Sequence, residues 1–520
     1  MKISFKQIFC ILLLLVCLLP LAVFVTAGPS ASGANERLAA KPRLTAGGSL
    51  NFDVLSDTAD YFAGHFGLRQ ALITANAAAD AAIFRESATP EVLLGTDGWL
   101  YYADTLADYT GAAPMTARQL WCAAQNLALM QEYAQTQGAA FLFVCAPNKN
   151  TVYPAQMPAR YTRAEGPSDL DRLETLLDAQ DIAFCDVRQT LLDAQGLTYY
   201  RTDSHWNGYG SALACDAILA ALGRESSLAG ELFTLQPHTG DLYQMLYPAS
   251  GKQEQGLSLA RAREFQYVGT VRGADDQLIR TQSDGSGALL AFRDSFGNAL
   301  HADLAEAFQT AVFSRAMPYD LSLMQDARPN AVLVELVERN LRWLASRPPL
   351  LPAPEREAPE AQPGNQTVSV RQSASSYDGL LVYTGTFDGL TPDKDSPVYA
   401  VLDGVCYEAC PTAEGFQLLA PAGSELSLLV RTSGAFQRLQ TALARLSTQN
   451  RPLSCSPIRM TRGDLAVSLQ DVRGDIRADA LDVDAGAEVE LQLVAVAEDE
   501  QELAVDVQNA RRLDAEILYL

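Results

Sequence analysis

The stretch "ALLAFRDSFGNALHADLAEAF" (residues 288–308) joins an apolar run to an amphipathic helical pattern through a short polar turn. The run 288–292 is continuous in apolar side chains, as expected for a strand buried on both faces of a parallel sheet. Ser295 lies in the turn, where backbone N–H groups and the positive end of the following helix favour negative charge. The pattern predicts a strand–turn–helix unit with a serine at the carboxyl end of the strand, although the G-x-S-x-G pattern is absent.

The same alternation of strand and helix patterns extends over residues 51–346. Helical patterns occupy 116–138 and 168–180, and Ser168 is placed to cap the second helix, with Asp171 three residues on. Alternating units of this kind predict an α/β domain with a doubly wound sheet. The predicted strands are "AAFLFVCAP" (139–147), "IAFCDV" (182–187), "ALLAFR" (288–293) and "AVLVEL" (331–336).

The first 27 residues have the pattern of an export segment. Residues 8–27 are apolar or small, and Lys2 and Lys6 precede them without an acidic residue. This length is sufficient to span a hydrocarbon core, and the positive flank places the N-terminus inside. Small residues near Ala27 also fit the alternative, a cleaved signal peptide. We expect an exported protein. Residues 1–27 are either an uncleaved membrane anchor or a signal peptide that is removed. Residues 28–50 are predicted to be a flexible tether.

The composition changes after residue 346. "RPPLLPAPEREAPEAQPGNQ" (347–366) contains six prolines and predicts a semi-rigid linker. Residues 367–520 contain strand patterns separated by turn residues and predict a β-rich accessory domain, with a sandwich as the expected arrangement. Two of these patterns are "VELQLVAVAE" (489–498) and "LAVDVQ" (503–508). Cys406 and Cys410 are candidates for a short-loop disulfide with each other or for a pair with Cys455.

Length and charge exclude some functions. At 520 residues, the chain is expected to form at least two domains. Its formal net charge of −23 argues against binding to nucleic acid, because no basic surface is available to neutralise phosphates. The cysteines and histidines lack the spacing of a structural zinc site, so no metal is expected.

A second polar stretch, "RTDSHWNGYG" (201–210), contains one of only four histidines. In an extended segment residues two apart face the same side, so the Asp203 carboxylate can accept a hydrogen bond from Nδ1–H of His205. Nε2 is then free to act as a base towards Ser295. Asn207 is placed to cap the next helix, which puts the pair at the carboxyl end of a strand, where α/β sheets form their sites. These residues predict a Ser-His-Asp triad.

The alternatives to a triad are ordinary structural roles. An aspartate two residues before a histidine is common by chance, and a serine after a strand is often a helix cap. His301 competes as a base for Ser295, but we expect it on an exposed helix face. We expect His238 in a loop and His65 at the end of an N-terminal helix.

Several ordered motifs resemble one family. Over residues 58–345 the chain resembles the SGNH-hydrolase-like O-acetyltransferase family of AlgJ and AlgX type, including its DHHW branch. Ser204 stands where the DHHW motif has a histidine. The matching segments are "DYFAGHFGLRQALITANAAADAAIF" (60–84), "VLLGTDGWLYY" (92–102), "APNKNTVYPAQMPARY" (146–161), "YYRTDSHWNGYG" (199–210), "FRDSFGNAL" (292–300) and "VELVERNL" (334–341).

The resemblance implies roles for individual residues. It makes Ser295 the nucleophile, His205 the base and Asp203 the residue that orients the base. Trp99 is expected in the core, and Glu335 is expected to pair with Arg339 rather than to act in catalysis. Candidate substrate-binding residues are Trp206, which could stack on a sugar ring, together with Arg293, Asn148, Lys149 and Tyr153.

The resemblance also implies the reaction. We expect an exported serine-dependent O-acyltransferase that acetylates a cell-envelope or extracellular polysaccharide through an acetyl-serine intermediate. No cofactor is implied. A multi-spanning membrane O-acyltransferase is the expected source of acetyl groups. Two alternatives stay open: a carbohydrate acetyl esterase with the same catalytic residues, and a non-catalytic glycan-binding protein on the same scaffold.

Overall fold

The computed structural model describes residues 4–28, 38–46, 49–444, 476–477 and 494–495. Within these residues the α-helices are α1 (Phe5–Ala27), α2 (Val54–His65), α3 (Arg69–Ile83), α4 (Leu106–Thr110), α5 (Ala117–Thr136), α6 (Lys149–Val152), α7 (Asp169–Ala179), α8 (Arg188–Leu192), α9 (Gly208–Ala221), α10 (Asp241–Leu246), α11 (Gly297–Ala307), α12 (Leu323–Ala327) and α13 (Trp343–Ser346). Short 3₁₀ helices lie at Ala103–Thr105, Pro154–Gln156, Leu228–Gly230 and Glu338–Asn340.

Up to residue 337 the β-strands are interspersed with helices, and in residues 362–444 they follow one another directly. They are β1 (Thr45–Ala46), β2 (Ser49–Leu50), β3 (Val92–Leu94), β4 (Leu100–Tyr102), β5 (Ala140–Ala146), β6 (Phe184–Asp186), β7 (Phe233–His238), β8 (Glu254–Leu259), β9 (Phe265–Tyr267), β10 (Leu278–Ser283), β11 (Ala288–Phe292), β12 (Thr310–Ser314), β13 (Ala331–Val337), β14 (Gln362–Ala374), β15 (Leu380–Thr386), β16 (Val398–Leu402), β17 (Val405–Pro411), β18 (Gly415–Pro421), β19 (Leu426–Thr432), β20 (Ala435–Ala444), β21 (Ile476–Arg477) and β22 (Val494–Ala495).

A seven-stranded sheet forms the first domain, in the order β6-β5-β13-β11-β12-β10-β9. The first five strands of this order are parallel, and β10 and β9 extend the edge in antiparallel pairs. The register aligns Phe292 with Val334 on one side and with Ser314 on the other. The α/β prediction is therefore confirmed, and the turn after β11 lies at the carboxyl edge of the central strands.

Helices cover both faces of this sheet, which makes it doubly wound. Alternate side chains of β5 point to opposite faces: Phe143 packs in the core under α5 and α7, and Val144 packs in the core under α9 and α11. Thr116 begins α5 with a capping box, and Ser168 caps α7 with Asp171 as the sequence predicted. The all-apolar strands are thus explained by burial on two faces.

The second domain is a closed barrel with the strand order β14-β15-β18-β17-β16-β19-β20, completed by parallel pairing of β14 with β20. The expectation of a sandwich is wrong, because the first and last strands pair and leave no open edge. Inward side chains such as Val370, Tyr383 and Leu428 fill its interior. Cys406 and Cys410 are buried free thiols, so the disulfide between them is also wrong.

The proline-rich segment that connects the two domains is fixed to both. Leu350 N–H donates to the Tyr319 carbonyl in the first domain, at 2.8 Å. The Arg356 guanidinium donates to Glu132 on α5 and to Glu408 on β17, at 2.8 Å each. Residues 362–366, predicted as the end of the linker, already belong to strand β14.

The N-terminal segment and a second compact unit complete the described chain. Ser4 caps α1 through a capping box with Gln7. Among the described residues, no helix meets the length and hydropathy that crossing a bilayer requires. The chain divides into residues 1–39 with 62–446, and residues 40–61 with 447–520. In the second unit β1 pairs with β2 and β21 with β22. Except for β22, the strands predicted at 489–498 and 503–508 lie outside the described residues.

Candidate active site

Ser295 lies in the turn between β11 and α11, and the carboxylate of Asp294 holds that turn. One carboxylate oxygen, Oδ1, accepts the Phe296 N–H at 2.9 Å. The other, Oδ2, accepts the Val337 N–H at 2.8 Å and Nδ2 of Asn340 at 3.2 Å. The turn is therefore tied to the end of β13, and Ser295 remains partly exposed to solvent.

Glu335, on β13, binds the backbone of the same turn. Its Oε2 accepts the Asp294 N–H at 3.1 Å, and the Gly297 N–H also hydrogen-bonds this carboxyl group. A Cβ on Gly297 would approach the Arg293 side chain to 2.6 Å and Oε2 of Glu335 to 2.9 Å, so only glycine fits there. Burial and the nearby charge of Asp294 hold the pKa of Glu335 well above its usual range. Oε1 of Glu335 has no hydrogen-bond partner in the described chain.

Ser295, His205 and Asp203 form one continuous chain of hydrogen bonds. Oγ of Ser295 is 2.9 Å from Nε2 of His205. Nδ1 of His205 is 2.7 Å from Oδ1 of Asp203. With the proton on Nδ1, Nε2 accepts from the serine hydroxyl, and the arrangement can deprotonate the hydroxyl during nucleophilic attack. The structure thus brings together the three residues that the sequence proposed as a triad.

Four donors surround the Asp203 carboxylate, which is 4% exposed. Oδ1 accepts from the ring and the backbone N–H of His205, the latter at 2.9 Å. Oδ2 accepts Nε2 of His238 at 2.8 Å and the Asp241 N–H at 3.0 Å. Burial alone would raise the pKa of Asp203, but the hydrogen bonds from His205 and His238 hold it well below its usual range. Asp203 is therefore an anion whose acceptor sites are all used.

The charge of Asp203 acts in turn on His205. Burial tends to lower the pKa of His205, but the hydrogen bond to Asp203 and the charges of Asp203 and Asp241 outweigh it. The pKa of His205 is therefore raised above its ordinary value of 6.5. A more basic imidazole is a better acceptor for the serine proton.

Two residues in this network, Asp241 and His238, were not identified from the sequence. Oδ2 of Asp241 accepts the Ser204 hydroxyl at 2.5 Å and is 3.5 Å from Nδ1 of His205. Ser204, in the position of the motif histidine, thus connects Asp241 to His205, because its hydroxyl is also 3.2 Å from Nδ1 of His205. His238 ends strand β7 instead of lying in a loop. Both residues are more than 30 positions from Asp203, so local spacing carried no signal for either.

Lys149 holds the backbone of the loop that carries Asp203. Its ammonium group donates to the carbonyls of Leu100 at 2.6 Å, Arg201 at 2.8 Å and Asp203 at 2.9 Å. Burial lowers the pKa of Lys149 to about 7. All three donors are used inside the protein, so Lys149 positions the loop, and the expectation that it contacts substrate is wrong.

Three other predicted substrate contacts are buried. Trp206 is 1% exposed, and its Nε1 donates to the Phe296 carbonyl at 3.1 Å, so it cannot stack on a sugar. The Arg293 guanidinium donates to Oδ1 of Asn298 at 2.5 Å and to the Ala274 carbonyl at 2.7 Å. Nδ2 of Asn148 is 3.3 Å from Oδ2 of Asp108. These expectations are corrected: the side chains stabilise the walls of the site.

The aromatic pair behind Lys149 is structural too. Tyr153 is half-buried, and its hydroxyl accepts the Thr198 N–H at 2.8 Å. Its ring lies 4.7 Å from that of Trp99, which is a core residue as expected. His301 is buried rather than exposed. Its Nε2 is 3.0 Å from the Tyr267 hydroxyl, so this nitrogen is already hydrogen-bonded and is a poor candidate for an alternative base.

Arg339 has a different position from the one predicted. No ion pair joins it to Glu335 within the described residues. Its guanidinium lies 5.5 Å from the Phe296 ring centre and 5.2 Å from that of Tyr102, and its charge lowers the pKa of His205. Arg339 is therefore a half-buried cation beside the nucleophile turn. Arg339 comes two residues after the end of β13, and this position in the sequence could have indicated a residue at the site.

A metal ion would compete with this network. Asp203, His205 and Asp241 each offer a ligand atom, and these atoms lie within 4.8 Å of one another. However, Nδ1 of His205 and both oxygens of Asp203 are already engaged in hydrogen bonds. Binding a cation there would break the chain that connects to Ser295. The geometry suits proton transfer better than metal coordination.

Comparison with known proteins follows the same part of the chain. A curated relative from Pseudomonas putida, named "Probable alginate O-acetylase AlgJ", is 29% identical over 187 residues, which are 33% of this chain and 45% of the relative. Its namesake from Pseudomonas syringae pv. tomato is 29% identical over 178 residues, 32% of this chain and 44% of the relative. The chain thus spans less than half the length of these relatives.

Solved structures and family descriptions add to this comparison. The structure of Bacillus cereus PatB1 has 17% sequence identity and a TM-score of 0.39, covering 48% of this chain and 96% of that one. Residues 92–318 match the family described as "SGNH hydrolase-like domain, acetyltransferase AlgX". These residues include β5, β11 and every member of the hydrogen-bond chain from Asp203 to Ser295. The part of the chain that contains the candidate active site is therefore similar to the SGNH hydrolase-like domain of the acetyltransferase AlgX.

Proposed function

We propose that this protein is a serine-dependent O-acyltransferase that acetylates a polysaccharide through an acetyl-serine intermediate. The observation that carries the proposal is the hydrogen-bond chain Ser295–His205–Asp203 at the carboxyl edge of the sheet. The relatives named as alginate O-acetylases support acetyl transfer to a polysaccharide as the class of reaction.

The first half-reaction loads the serine. Oγ of Ser295 attacks the carbonyl carbon of an acetyl ester while its proton passes to Nε2 of His205. Asp203 stabilises the imidazolium that forms. The Ser295 N–H donates to no described residue and is free to bind the oxyanion. The tetrahedral intermediate then collapses, the leaving oxygen takes the proton from Nε2, and acetyl-serine remains.

The second half-reaction transfers the acetyl group. Nε2 of His205 accepts the proton of a sugar hydroxyl as that oxygen attacks the acetyl carbonyl. Collapse of the second tetrahedral intermediate returns the proton to Oγ of Ser295 and releases the acetylated glycan. Both steps need neutral His205. We therefore expect activity to fall as the pH drops through the raised pKa of this residue.

The proposal places this reaction outside the cytoplasm. Its support is the sequence of the first 27 residues, in which lysines precede an apolar segment. A membrane O-acyltransferase that supplies acetyl groups is part of the same proposal and is supported by the family resemblance. N-terminal sequencing of the protein from the cell envelope would distinguish a retained segment from a cleaved one.

A carbohydrate esterase is the second candidate. The observation that favours it is the partial exposure of Ser295 and His205, which leaves room for water to act as the acceptor. The two candidates share every catalytic step except the last. Incubation with acetylated and unacetylated polysaccharide, followed by measurement of glycan-bound acetate, separates them: a transferase adds acetate in the presence of a donor, and an esterase removes it.

The experiment that tests the proposal is intact-mass spectrometry of the purified protein after exposure to a small acetate ester. The parent and the exposed-serine control Ser227→Ala are expected to gain one acetyl group. Ser295→Ala is expected to gain none. Absence of both the adduct and ester turnover in the parent, from mildly acid to mildly basic pH, would contradict the proposal and favour a non-catalytic glycan-binding protein.

A further inference from the structure

The hairpin β7–β8 holds the loop that carries Asp203 and His205. At one point of the hairpin, His238 is the register partner of Glu254. The Glu254 carboxylate accepts the backbone N–H groups of Arg201 at 2.9 Å and Thr202 at 2.8 Å. Nε2 of His238 contacts the side chain of Asp203, the residue after Thr202. One pair of hairpin residues therefore contacts both the backbone of this loop and its carboxylate.

The His238 ring is itself fixed in place. It stacks on Tyr200, with ring centres 3.7 Å apart and an angle of 16° between the planes. Tyr200 in turn lies against Gly256 of β8, where a Cβ would approach the tyrosine ring to 2.3 Å. In this packing, Nε2 of His238 is directed at Oδ2 of Asp203, at 2.8 Å.

We propose that His238 is a positioning residue for the acyl-transfer reaction: its Nε2–H holds one oxygen of Asp203 so that the other faces His205. The inference rests on the proposed function. Among the described residues, His238 contacts Asp203 and Tyr200 and forms no hydrogen bond with Ser295 or His205. It extends the chain Ser295–His205–Asp203 by a fourth residue, supplied by the hairpin.

The charge distribution gives this contact a measurable consequence. A hydrogen bond from His238 draws negative charge in the Asp203 carboxylate towards Oδ2, away from the oxygen that faces His205. Without that donor, Asp203 attracts the His205 proton more strongly, so the pKa of His205 rises. His205 is then protonated over a wider pH range, and the acid limb of the pH–rate profile moves to higher pH.

Other titratable or charged groups lie near His205, Asp203 and Tyr200, and variants at position 238 leave them unchanged. Asp241 raises the pKa of His205 and Arg339 lowers it. Glu254 and Asp203 lie near Tyr200, whose pKa burial raises to about 12, so its hydroxyl stays neutral. Lys149, with a pKa lowered to about 7 by burial, titrates close to the working range. Within each background, the test therefore changes position 238 alone.

The test compares His238→Phe with His238→Gln. Phenylalanine keeps a ring to stack on Tyr200 but has no donor, and glutamine keeps an N–H donor at a similar distance from the backbone. We expect His238→Phe to lower kcat/KM for a small acetate ester by about tenfold, in the range typical of residues that orient a site ligand. We expect the acid limb to move up by about half a pH unit. His238→Gln is expected to retain most activity and the parent pH profile.

A second readout does not depend on turnover. The chain has four histidines, so ¹⁵N-histidine labelling gives a spectrum in which His205 can be titrated directly. In the Ser295→Ala background, His238→Phe is expected to raise the pKa of His205, and His238→Gln to leave it unchanged. This result is independent of whether the parent transfers acetyl groups.

The outcomes separate the two proposals. An unchanged His205 titration in His238→Phe, with the fold intact by thermal melting, would overturn the positioning role even in an active enzyme. Equal losses in the Phe and Gln variants with no shift of the acid limb would also overturn it, because they would indicate packing alone. A shifted His205 titration in a parent without turnover would support the positioning role and contradict the acyltransferase proposal.

Discussion

Asp203 and Glu335 are both buried carboxyl groups at the candidate active site, and the structure surrounds them in opposite ways. Asp203 accepts four N–H donors, and its pKa is well below the usual range. Glu335 accepts backbone N–H groups through one oxygen only, and its pKa is well above the usual range. Burial raises both pKa values; hydrogen bonds from His205 and His238 outweigh this effect at Asp203, whereas at Glu335 the charge of Asp294 adds to it. One acid provides charge for His205, and the other supports a turn without adding charge.

The largest effect is expected when the charge of Asp203 is removed. Asp203→Asn is expected to lower kcat by about 10⁴-fold, because an amide cannot stabilise the imidazolium and favours the wrong tautomer. Turnover of a small acetate ester measures the effect, and thermal melting checks the fold. Asp241→Asn is the matched control and is expected to lose much less activity. Equal losses in both variants would show that Asp203 has no special role.

A smaller effect is expected when the support of the Asp203 loop is removed. Lys149→Met leaves three buried carbonyls without a donor, so we expect the free energy of unfolding to fall by about 3 kcal/mol. Urea denaturation measures this change. The exposed Lys252→Met is the control and is expected to change stability very little. Equal stability of the two variants would mean that the loop is held without Lys149.

Arg339 lies against the Phe296 ring beside the nucleophile turn, and its removal tests how much a nearby positive charge lowers the pKa of His205. Its positive charge lowers the pKa of His205, so Arg339→Met is expected to raise that pKa and move the acid limb to higher pH by a few tenths of a unit. The pH dependence of kcat/KM measures the shift. Arg347→Met, at an exposed arginine, should leave the profile unchanged. A shift towards lower pH would contradict the position of Arg339.

The smallest effect is expected at Glu335. Because its raised pKa favours the protonated, uncharged carboxyl group, Glu335→Gln is expected to change kcat/KM by less than about twofold. Its folded pKa exceeds the unfolded one, so its contribution to stability is lost as pH rises above the unfolded pKa. Glu335→Gln should therefore gain stability relative to the parent between pH 5 and pH 8, measured by urea denaturation. A loss that matched Asp203→Asn would show that Glu335 is ionised in the folded protein.

The sequence predicted those parts of the fold and site that depend on local pattern. The continuous apolar runs indicated β5, β11 and β13, and the turn after β11 indicated Ser295. The spacing of Asp203 and His205 indicated their hydrogen bond. The sequence did not indicate that His238 and Asp241 contact Asp203, because the fold brings these distant residues to it. Trp206 was misjudged for the same reason: whether an aromatic side chain is buried depends on what packs over it, here Phe296.

The parallel pairing of β14 with β20 has a consequence for how the chain folds. This pairing aligns Gln362 with Gln437, so the strands that complete the barrel are among its most distant in sequence. Contacts between distant residues form slowly, because a long loop must close first. During synthesis, which proceeds from the N-terminus, the barrel cannot be completed until residue 444 is available. We therefore expect the sheet domain to be folded before the barrel closes, with the edges of β14 and β19 unpaired in the interval.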